Sequence, residues 1–214
     1  NPTVGGGWRY YWNQDPDNSA AQWGAIGMLA AEQIFGLQSP LWVKDLNRIW
    51  TEYSKWTQGQ GYGYNVSGPP SASTTPAAMV QLAWIGATTN DPMWQHGEKW
   101  IAQNWTVITN SNDFYQYYAI AKALRLAKPE PVVRLALTGQ DWYFDPTNGL
   151  ARILIDRQDQ TNGGWTASGL VTDPQYVTSW AVIILSETIF REKPVAVISV
   201  DTNTVLSGQS VTFD

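Results

Sequence analysis

Four stretches of the chain share one pattern, in which a polar, turn-rich lead runs into a block of small and apolar residues: 17–30, 74–84, 112–124 and 173–185. The leads place Asp17, Thr74, Asp113 and Asp173 where a side-chain oxygen can accept an unpaired N–H of a first helical turn. Pro76 suits such a turn, because no N–H is needed there. The blocks are apolar on nearly every side, which is the pattern of a helix packed all round, and their Ala and Gly residues allow close approach. Trp23, Trp84, Tyr117 and Trp180 lie inside these blocks and are expected to be buried.

Between the blocks run more polar segments, each with one apolar stripe. In 41–56, Trp42, Leu46, Ile49, Trp50 and Tyr53 fall near one face, with Lys44, Asp45, Arg48 and Glu52 elsewhere. Segment 92–105 repeats this with Trp94, Trp100 and Ile101, and 148–158 with Leu150, Ile153 and Leu154. These read as outer helices that turn their stripes inward. Glycine-rich loops close them, running into Tyr62 after the first and Trp165 after the last. Glycine supplies the left-handed backbone of a helix end, and the aromatic behind it can fold back to plug the joint between hairpins. The expected fold is all-α, with α/α toroid-like helical hairpin repeats: about three and a half hairpins, or about seven long helices. They reach to about Phe190.

Gly6-Gly7-Trp8 reads as the close of a further repeat, so residues 1–192 are expected to form a repeat domain that is N-terminally incomplete. After Pro194 the texture changes. Residues 195–200 are β-rich, and 205–214 read as a turn followed by a strand with Val211 and Phe213 on one face. Residues 193–214 are therefore expected to open a short C-terminal β segment.

Composition narrows the function classes. The net charge is −5, from 18 acidic and 13 basic residues, which argues against a nucleic-acid or anionic-membrane partner. The longest apolar run, around 177–185, is far shorter than the roughly 20 residues of a membrane span. The absence of cysteine excludes disulfides, thiolate zinc sites and cysteine nucleophiles. The 13 Trp, 10 Tyr and 5 Phe either fill the helical core and its joints or line a cavity or sugar-binding face.

The run Ile153-Leu154-Ile155-Asp156-Arg157-Gln158 into Gly163-Gly164-Trp165 resembles the QW repeat of squalene–hopene cyclases. Gly139-Gln140-Asp141-Trp142-Tyr143 before it, and the block from Tyr176 to Leu185 after it, resemble secreted bacterial proteins with prenyltransferase and squalene-cyclase repeats. The likeness covers about Gly5 to Phe190 and implies an α/α toroid. The C-terminal segment resembles the start of a PKD-type or other immunoglobulin-like domain, which implies an extracellular or cell-surface location.

The family activities are each missing a part. Squalene–hopene cyclases use a DxDD acid motif, to which Asp15-Pro16-Asp17-Asn18 is the nearest approach. Prenyltransferase zinc needs Asp, Cys and His, whereas this chain has only His96, read as a surface residue of an outer helix. Thioester domains need a cysteine. No cofactor is called for, and no catalytic residue is assigned. Asp145 and Asn148 are a Ca²⁺ candidate in a turn that lacks full EF-hand spacing. In a toroid the loops entering the inner helices rim the cavity, so Trp12, Asp15, Asp17, Asp113, Tyr115, Asp173 and Tyr176 form the expected ligand-binding mouth. The leading expectation is a non-catalytic extracellular binding or structural module, whose partner is a glycan or another protein subunit. The alternative is a polysaccharide lyase or hydrolase, or a divergent terpenoid cyclase-like enzyme, with catalytic residues partly outside this segment.

Overall fold

The computed structural model describes residues 4–169 and 171–186. Among them the chain is helical, with no sheet and eight helices: α1 Asn18–Phe35, α2 Leu41–Ser54, α3 Thr74–Ile85, α4 Pro92–Gln103, α5 Trp105–Asn110, α6 Phe114–Arg125, α7 Leu150–Arg157 and α8 Pro174–Leu185. The count exceeds the expected seven because a short helix, α5, follows the outer segment expected to end at Trp105, after a break at Asn104, which takes φ −106° and ψ 9°. The expected β segment and the boundary near residue 192 lie outside the described residues.

Helices α1, α3, α6 and α8 pack successively on one another and form an inner row. Outer helices α2 and α4 lie on α3, and α7 lies on α8. Every residue of α3 from Thr74 to Trp84 is buried, as its all-round apolar character requires. Asp17, Asp113 and Asp173 cap α1, α6 and α8 through side-chain bonds to first-turn N–H groups.

The joints repeat one device. Gly61 takes φ 92° and Tyr62 behind it is fully buried, its N–H donating to Thr75 Oγ1 at 3.2 Å and its hydroxyl to the Met93 carbonyl at 2.6 Å. Gly163 takes φ 74°, and Trp165 donates through its backbone to Thr178 Oγ1 and through Nε1 to the Leu154 carbonyl. Trp8 lies 5.6 Å from Trp84 and packs on Gly24, where any Cβ would meet the indole at 2.6 Å. Three aromatic plugs thus sit at three joints of a repeat-like array.

Two expectations are corrected. The stripe of α2 does not turn inward as a unit: Trp50 is buried, but Trp42, Leu46 and Ile49 are exposed, and the buried face carries Asn47, Thr51 and Ser54. The reason is a buried amide seam. Asn47 Nδ2 donates to Gln81 Oε1 at 3.0 Å, Gln81 Nε2 donates to Asn18 Oδ1 at 2.9 Å, and Asn18 Nδ2 donates to Ser54 Oγ at 3.0 Å. Three buried amides need partners, and α2 turns its polar side to supply them. Secondly, Trp84 and Tyr117 are buried as expected, but Trp180 is half-buried and Trp23 is 49% exposed. The buried stripe of α1 runs through Ala21, Gln22, Ala25 and Leu29, and Trp23 lies on the opposite side.

Candidate aromatic binding site

Of the residues expected to form one mouth, three carboxylates stand at the starts of inner helices. Asp17 is fully buried, accepts from Ala20 N–H at 2.7 Å and lies 3.1 Å from Arg9 Nε. Asp113 is also buried: it caps α6, accepts from Gln116 Nε2 at 3.0 Å and packs against Gly169. Asp173 caps α8 through Gln175 N–H at 2.9 Å. These carboxylates thus serve helix ends, because a cap must turn its oxygens toward its own first turn. Asp15 lines a shallow cleft with Pro16, Trp50, Tyr53 and Val66, beside α2. Trp12 is 90% exposed on the N-terminal loop.

Tyr115 and Tyr176 do come together, through a residue not assigned to the site from sequence. Trp180 of α8 lies 5.5 Å from Tyr115 and 6.3 Å from Tyr176, ring to ring. It also stacks on Tyr118 of α6 at 6.1 Å and 12°, and Tyr118 stacks on Trp23 of α1 at 6.3 Å and 23°. Five rings from α1, α6 and α8 therefore form a continuous wall. Trp23 and Tyr176 open it to solvent.

Beneath the wall lies Lys122 of α6, fully buried. Its Nζ donates to Gln22 Oε1 at 2.7 Å and stands 4.4 Å from the Trp23 ring centroid and 4.6 Å from that of Tyr118. Gln22 Nε2 in turn donates to the Tyr115 hydroxyl at 3.1 Å, and that hydroxyl lies 3.2 Å from Ser19 Oγ. A polar chain thus links α6 to α1 beside the rings. Burial pulls the Lys122 pKa down to about 7, because the charged form loses its hydration. The signal available in sequence was a single cation within the apolar block 119–124.

Two other candidates have structural duties. The Asp145 carboxylate accepts the N–H groups of Thr147 and Asn148 at 2.9 Å each, forming a helix-entry turn. His96 is half-buried rather than a surface residue, with Nε2 3.0 Å from the Gly61 carbonyl and its ring edge-on to Tyr62. It braces the plugged joint, and burial lowers its pKa. Among the described residues no three His, Asp or Glu stand together as a metal site, and no described helix is long and apolar enough to cross a membrane. No family model, curated protein or solved structure matches the chain.

Proposed function

We propose that the chain is a non-catalytic, extracellular binding module of the squalene-cyclase and prenyltransferase-like repeat type, and that its aromatic wall seats a glycan. The observation that carries this reading is the unbroken stack of Trp23, Tyr118 and Trp180 across three inner helices, flanked by Tyr115 and Tyr176. Sugar C–H faces stack on such rings, and an extended ligand can engage several at once. An apolar polyene calls for a closed, dry chamber, whereas Trp23 and Tyr176 are open to water. The occupation of Asp17 and Asp113 by caps and neighbouring side chains also favours binding over paired-carboxylate hydrolysis.

Affinity electrophoresis through gels containing soluble polysaccharides tests the proposal. At least one polysaccharide is expected to retard the protein, and Trp23→Ala combined with Trp180→Ala to weaken binding about tenfold, each stacking contact contributing about 0.5–1.5 kcal/mol. Trp42→Ala, on the exposed side of α2, serves as the surface control. Lack of retardation by any polysaccharide, or wild-type retardation of the folded double variant, refutes the glycan reading.

A further inference from the structure

Building on that glycan reading, we propose that the wall selects acidic glycans, those bearing uronate carboxylates, over neutral ones, and that Lys122 is the residue that makes the distinction. Lys122 is fully buried, yet among the described residues no carboxylate lies within ion-pair distance of its Nζ. What faces it is Gln22 and Trp23 from α1 and Tyr118 on α6, with Tyr115, Ser19 and Trp180 one step further out. One amide oxygen and two ring faces offset part of the cost of burying an ammonium, but none of them is a counter-ion.

The carboxylates that start α1 and α6 do not supply one. Asp17 is engaged with Arg9 and its cap, and Asp113 with Gln116 and its cap. In a chain of net charge −5, the aromatic wall is therefore backed by a lysine that meets no carboxylate among the described residues. A ligand carboxylate resting on the exposed side of Trp23 would stand about one ring thickness further out, roughly 7–8 Å from Nζ. At that range, with an effective dielectric constant of about 20, the attraction is worth on the order of tenfold in affinity or more. It acts through the rings, so the burial of Lys122 is no obstacle. A neutral sugar gains only the stacking. The low pKa of Lys122, about 7, adds that the preference is full in mild acid and fades in mild base.

Oligogalacturonate and its methyl ester of the same length differ in that charge and in one small methyl group per unit, and make the decisive pair of probes. Calorimetric titration at low ionic strength is expected to show the acid form bound about tenfold more tightly than the ester at about pH 6, with a smaller margin at about pH 8.5. Lys122→Met is expected to collapse the margin, and Lys99→Met, an exposed lysine of α4, to retain it. Equal binding of the two probes by the wild type, or an undiminished margin in folded Lys122→Met, overturns the proposal and leaves the glycan wall standing. Failure of both probes to bind likewise overturns the acidic preference, while the glycan reading stands or falls on the polysaccharide gels.

Discussion

At the scale of single residues, Lys122 is the position where the fold departs furthest from local expectation. An unfolded lysine holds its proton to about pH 10.4, whereas Lys122 in the fold releases it near 7. Between these values the unfolded chain binds the extra proton, so stability falls as the pH drops, and below about 7 the penalty is fully in place. Lys122→Met removes the charge and keeps the volume. We expect it to raise stability by on the order of 1–2 kcal/mol at about pH 6, even after the orphaning of Gln22 Oε1, with the gain shrinking toward pH 10. Urea denaturation across that range checks this, and a pH-independent difference or a less stable variant at pH 6 contradicts it. Helix caps such as Asp17 and Asp113 were legible in sequence because capping is local chemistry. The wall was not, because Trp23, Tyr118 and Trp180 are brought together only by the packing of three helices distant in the chain.

At the scale of elements, periodicity located the helices well but did not say which side of α2 faces in. Its apolar stripe and its polar face are both continuous, and the choice between them was made by partners on other helices: Gln81 of α3 and Asn18 of α1. Leu46→Lys with Ile49→Lys should therefore cost no more than about 0.5 kcal/mol per site, as exposed substitutions do. Asn47→Leu, which looks conservative for a buried position, should cost about 1–3 kcal/mol by stranding the oxygens of Gln81 and Gly6. Thermal melts of the two variants rank them, and the reverse order would restore the amphipathic reading of this helix. The outer segment expected to end at Trp105 shows the same limit on a smaller scale, since a further short helix, α5, follows it.

At the scale of the molecule, helices contact mainly their neighbours in the row, so protection is set by position. Amide exchange should be slowest in α3, enclosed on all sides, slower in α6 than in α7, and fast in α7, where only Leu150 and Leu154 are buried. Mass-resolved exchange showing α7 protected as strongly as α3 would contradict this order. The amide seam of Asn18, Gln81 and Asn47 has a consequence for how such an array can change. Three plugged joints suggest interchangeable parts, but α1, α2 and α3 are keyed to one another by complementary donors and acceptors. A copy of α6 moved into the place of α3 would leave Asn18 Oδ1 and Asn47 Nδ2 without the Gln81 amide that each now meets. Helices α1, α2 and α3 can therefore be copied together, each bringing the partner the next one needs, but not exchanged singly.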